Sequence, residues 1–142
     1  MMRKRTKARE CALQVLYQID ITKNDYNYCL QDFWQVNRDI DRSIVEFANG
    51  LVKGAVENVK KIDKVISGYA TNWNIGRMAV VDRNVLRLAT YELLFLKEIP
   101  PKVSINEAVD IAKKYGDKDS GKFVNGVLDK ISKKETKDDE KS

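Results

Sequence analysis

Val81-Asp82-Arg83-Asn84-Val85-Leu86-Arg87-Leu88-Ala89-Thr90-Tyr91-Glu92-Leu93-Leu94 decides the fold class of this chain. Val81, Val85, Leu86, Leu88, Ala89, Leu93 and Leu94 cover more than half the circumference of a helix. A helix that apolar is central, with other helices packed around it. The spacing predicts it over residues 79–97. Ile99-Pro100-Pro101 then ends it, because proline cannot continue a helix and restrains the residue before it.

Downstream, Ser104-Ile105-Asn106-Glu107 reads as a capping box opening a helix with Ile105, Ala108, Val109 and Ala112 inward and Gly116 as its stop. Asp119-Ser120 reads as the cap of a last helix. Its apolar face is Val124, Val127, Leu128 and Ile131, and Gly126 within it suggests a close approach by a neighbour. The period fades after Ile131, and residues 133–142 read as a disordered charged tail.

Upstream, an apolar stripe from Ile44 to Ile66 predicts one long helix from Asp39 or Asp41 to about Ser67, about 40 Å at ~1.5 Å per residue. Gly50 and Gly54 on it suggest close packing or a bend, and Gly68 a stop. Asn24-Asp25 caps a helix reaching Val36. The first helix reads from Thr6 to Asp20, with Ala8, Cys11, Ala12, Val15, Leu16 and Ile19 on one face. No segment alternates with the period of a strand. The expectation is a single all-α domain over residues 1–132, with about six or seven helices. It divides near Gly68 into groups over about 6–68 and 71–132.

Composition narrows the function. The chain has 142 residues and a net charge of +5, which favours an anionic partner, nucleic acid being the commonest. It has no histidine, so the usual general base and the commonest zinc ligand are missing. Cys11 and Cys29 are far apart and outside any metal-ligand pattern. No apolar run approaches the ~20 residues that span a bilayer, and the basic N-terminus lacks the apolar segment of a secretory signal. The expectation is a cytoplasmic protein with no metal, no cofactor and no membrane association.

Two stretches carry chemistry. Arg3, Lys4, Arg5, Lys7 and Arg9 precede the first acid, Glu10, and read either as a solvated terminus or as a phosphate-binding arm. Phe123 stands beside Lys122 and near Lys118 at a helix start. It is either core or an aromatic that stacks a base while the cations hold phosphates. Trp34 and Trp73 read as packing anchors. Asn106, Glu107 and Asn125 read as caps or inter-helix hydrogen bonds, and Asp129 as a partner for an arginine of the central helix.

Four blocks, in order, resemble the NusB family of transcription antitermination factors: residues 9–17, 82–93, 99–109 and 120–129. The resemblance implies two packed three-helix bundles and no catalysis. It implies binding of single-stranded boxA RNA, notably in ribosomal RNA leaders, together with NusE, a ribosomal protein of the small subunit. The pair would join an antitermination complex on RNA polymerase. By position, Arg3, Arg5, Lys7 and Arg9 would meet the RNA backbone, and Phe123 would contact RNA beside Asp119, Ser120 and Lys122, with Tyr115 in support. Tyr17 and Asp82 match the NusE-facing surface. An arm near one end of the chain and an aromatic near the other would cradle one strand. Whether the protein is a monomer or a homodimer stays open.

Two other functions compete. Similar helical domains stand at the N-terminus of some RNA cytosine methyltransferases, so the chain could serve such an enzyme in trans. A nuclease is disfavoured by the missing histidine and the absence of a carboxylate cluster with metal-site spacing.

Overall fold

The computed structural model describes residues 3–136. Its helices are α1 Lys4–Thr22, α2 Tyr26–Val36, α3 Arg42–Glu57, α4 Val59–Tyr69, α5 Val80–Phe95, α6 Pro101–Tyr115 and α7 Ser120–Glu135, with a 3-10 turn at Ile75–Arg77. No strand occurs among the described residues. The chain is all-α, as the periodicity predicts. It forms two compact units, Met1–Glu57 and Asn58–Ser142.

In the first unit, α1 packs chiefly on α3 and also on α2. Cys11, Ala12, Val15, Leu16, Cys29, Phe33, Leu51 and Val52 are buried there. Both cysteines are free, and burial raises the pKa of each thiol, so neither is a ready nucleophile. Asp25 caps α2 by accepting from the backbone N–H of Asn27 at 3.0 Å and of Tyr28 at 3.4 Å. Trp34 is the anchor expected of it, its indole N–H donating to Asn49 Oδ1 at 2.8 Å.

In the second unit, α5 is central and packs on α4, α6 and α7. The Arg87 guanidinium of α5 grips Asp63 of α4 through Nε at 2.9 Å and Nη2 at 3.0 Å, a bidentate pair. Asp129 pairs instead with Lys133, one turn on, at 3.0 Å.

Several local expectations are corrected. The long helix breaks at Asn58, the N-cap of α4, so the two units meet there in sequence and not near Gly68. Asparagine competes with the helical backbone for hydrogen bonds and favours cap positions, while the apolar stripe runs on across the break. Gly68 lies inside α4. A Cβ at Gly50, Gly68 or Gly126 would meet nothing within 4 Å, so none of these three marks a close approach. The capping box does not cap: α6 starts at Pro101, and proline is preorganised for the first helical turn. Ser104 is therefore inside α6, buried, and its hydroxyl donates to Glu92 Oε1 at 2.8 Å. The last helix runs past Ile131 to Glu135, taking in the start of the expected tail. The rest of that tail, residues 137–142, lies outside the described residues.

Candidate nucleic-acid interface

The basic residues expected in an arm are mostly helical. Arg3 is the extended N-cap, and Arg5, Lys7 and Arg9 lie on the first turns of α1. Their surroundings differ. Arg3 and Arg5 are exposed and Lys7 is half-buried. Arg9 is only 3 % exposed, so it is part of the packed structure and no free arm residue. Phe47 of α3 organises this end of the unit. The Arg5 guanidinium lies 4.5 Å from the ring centroid and that of Arg9 5.7 Å. A cation held by a π face uses up no anionic partner, so the N–H donors of Arg5 stay available to an anion. Lys4 instead pairs with Asp41 at 3.0 Å. Hydrogen bonds from Ser43 and Lys4 hold the Asp41 carboxyl down at about 2. Further along α1, Tyr17 and Ile21 stand one turn apart and are 43 % and 55 % exposed. Together they leave an apolar patch on the helix.

The second unit holds a cleft of about 220 Å³ lined by Trp73, Met78, Ala79, Asp82, Asp117, Asp119 and Phe123. Phe123 is half-buried and meets Trp73 edge-to-face, centroids 5.8 Å apart. Trp73 is 55 % exposed and so is no packing anchor, contrary to its reading from sequence. It stands in the irregular stretch Thr71-Asn72-Trp73-Asn74, and a tryptophan among polar loop residues is the signal that could have marked it.

The floor of the cleft follows from one turn. The Asp117 backbone N–H donates to Ser120 Oγ at 3.0 Å, and the Asp119 N–H to Asp117 Oδ1 at 2.9 Å. Gly116 makes room for this. A Cβ there would come within 2.7 Å of Ser120 Cβ and 2.8 Å of the Ala112 carbonyl. Ser120 is thereby buried beneath the cleft and is no surface contact. Asp82, on the first turn of α5, is 9 % exposed, and its Oδ1 has no hydrogen-bond partner. Burial pushes its carboxyl above the ordinary carboxylate value. A Ser120 hydrogen bond opposes that shift, and the Asp117 charge reinforces it. Asp82 is thus set into the cleft.

The structure therefore brings Phe123, Asp119, Ser120 and Asp82 together and adds Trp73 and Asp117. Lys122 is exposed beside Phe123 in sequence. Tyr115 does not line the cleft; its ring lies 5.5 Å from Lys114 Nζ. The cleft joins aromatic faces to carboxylate acceptors, which suits a flat ring carrying N–H donors. Among the described residues no group of His, Cys, Asp and Glu could hold a metal ion, and no helix is long and apolar enough to cross a membrane.

Comparison with known proteins agrees with the fold and the blocks. The model of the NusB family matches residues 6–133. Transcription antitermination protein NusB of Anaeromyxobacter sp. (strain Fw109-5) is 52% identical over 132 residues, covering 93% of this chain and 92% of that protein. NusB of T. maritima superposes with a TM-score of 0.86 at 44% identity, covering 94% of each chain. A chain in the crystal structure of antitermination factors NusB and NusE in complex with dsRNA superposes with a TM-score of 0.85 at 38% identity, covering 94% of this chain and 98% of that one.

Proposed function

The chain belongs to the NusB family of transcription antitermination proteins, and from that membership we propose that it binds boxA-type single-stranded RNA jointly with NusE and so promotes antitermination in ribosomal RNA transcription. It acts as a cytoplasmic adaptor on RNA polymerase and not as an enzyme. A similar chain occurs in a NusB–NusE complex with dsRNA, which supports RNA and NusE as partners.

The observation that carries the single-strand reading is the cleft. Phe123 and Trp73 offer aromatic faces beside Asp82 and Asp119, and among the described residues no cation lines it. Such a site repels phosphate and accepts a base turned out of its stack, the mode by which unpaired RNA is read. Asp82 Oδ1, buried and unpartnered, is the acceptor for an amino group on that base. Phosphates are met in the other unit by Arg3, Arg5 and Lys7 at the start of α1. Such contacts position RNA without reading sequence. Arg9 packs near the same Phe47 ring that holds Arg5. Tyr17 and Ile21 supply an apolar patch for NusE.

Replacing Phe123 with Ala tests the cleft. Affinity for a boxA RNA is expected to fall by about 1–3 kcal/mol, the worth of one stacked base, with the salt dependence unchanged. Unchanged affinity in a folded variant removes the cleft from the site.

A further inference from the structure

Trp73 is a wall between two hollows. One is the cleft it shares with Phe123. The other is wider and more open, and is lined by Ser67, Ala70, Thr71, Asn72, Asn74 and Arg77 together with Trp73 itself. The two differ in chemistry. The first carries carboxylates and the second a guanidinium with hydroxyl and amide groups. Packing on Phe123 alone does not explain Trp73, since a large apolar residue is left 55 % exposed. Nor is the segment slack. The Trp73 backbone N–H bonds the Ala70 carbonyl at 3.0 Å. Asn74 Oδ1 accepts from the Gly76 N–H at 2.8 Å, and Arg83 Nη1 donates to the Gly76 carbonyl at 3.2 Å. The indole is presented from a braced turn.

We propose that the Trp73–Arg77 hollow is a second nucleotide subsite, taking the ribonucleotide that neighbours the one held at Phe123. The inference rests on the RNA reading above and extends it by one nucleotide. The neighbouring base stacks on the indole. Its phosphate pairs with the exposed Arg77 guanidinium, and the ribose hydroxyl meets Thr71, Asn72 or Asn74. Base stacking on tryptophan is tolerant of sequence, because every base has a π face. This subsite therefore adds affinity and length, while the carboxylates of the first cleft discriminate between bases.

The chain carries 2 tryptophans, so the test is direct. A Trp34→Phe variant leaves Trp73 as the only indole. Titrating it with a labelled boxA RNA reads anisotropy and tryptophan emission together. Binding accompanied by strong quenching of Trp73 is the expected result. Trp73→Ala should weaken binding about three- to tenfold. Trp73→Phe should restore most of that loss. Arg77→Gln should weaken binding and lower the salt slope by about 0.7, the loss of one single-strand phosphate contact. RNA that binds, by anisotropy, without changing Trp73 emission overturns the subsite and leaves the RNA reading standing. No binding of any RNA overturns both. Should Trp34→Phe not fold, 5-fluorotryptophan in the natural sequence separates the two indoles by fluorine NMR, and a Trp73 resonance that does not move when RNA binds likewise overturns the subsite.

Discussion

The first turns of α1 and the cleft around Phe123 are built from opposite materials. The former has exposed cations and an aromatic ring that orients one of them. The latter has aromatic walls and three carboxylates, Asp82, Asp117 and Asp119. The contrast separates two tasks. Phosphates are alike along an RNA, so a basic helix gives affinity that salt erodes. Bases differ in their edges, so a cleft of acceptors and π faces gives discrimination that salt barely touches. A protein with the first alone would bind any polyanion.

Substitution at the cleft floor should have the strongest consequence. Gly116→Val forces a side chain against Ser120 and the Ala112 carbonyl. It should destabilise the fold by about 1–3 kcal/mol in urea unfolding, as overpacking does. It should also displace Ser120, and so abolish preference between RNAs before it abolishes binding. A stable variant with unaltered preference would detach the floor from the function.

The two arginines sharpen the other side. Arg9→Ala removes a buried side chain and should lower stability by about 1–2 kcal/mol. Arg5→Ala removes an exposed one, so its melting temperature should stay put while the salt slope falls by about 0.7. Equal effects of the two changes would erase the division between scaffold and contact. Phe47→Leu should reproduce part of the Arg5→Ala loss, and add nothing to it in the double variant.

The smallest effect concerns Asp82. Its carboxyl is raised in the folded state by burial, so the stability it contributes is full below the ordinary carboxylate pKa and is lost as pH rises through the raised value. Above that raised value the ionised group opposes folding. Asp82→Asn should then raise stability once the pH is above the raised value, with the gain vanishing in acid. A melting temperature that falls both above that value and in acid would mean the carboxylate has a stronger partner than the Ser120 hydroxyl.

The sequence makes the helices legible where burial is broad. The apolar faces of α5, α7 and the α3–α4 stripe predict helices that the structure contains. Breaks are less legible, because they turn on one residue's local competition. Asn58 interrupts α3–α4 without disturbing the stripe, and Pro101 starts α6 ahead of a perfect-looking capping box. In the candidate site, Phe123, Asp119 and Ser120 are close in sequence and belong together in space. Trp73 and Phe47 are not legible as site residues, because each acts through a residue far along the chain and periodicity records one helix at a time. Asp82 is legible as special, yet its burial is not. That burial depends on tertiary packing, in which Ser120 of α7 reaches its carboxyl.

Joint reading of boxA RNA with NusE is the function we propose for this chain. Fluorescence anisotropy with a single-stranded boxA RNA and a scrambled control, across a salt series and with and without NusE, tests it most directly. Preference for boxA that tightens with NusE is predicted. Equal affinity for both RNAs, lost steeply with salt and unaffected by NusE, would contradict it and leave only a basic helix meeting a polyanion.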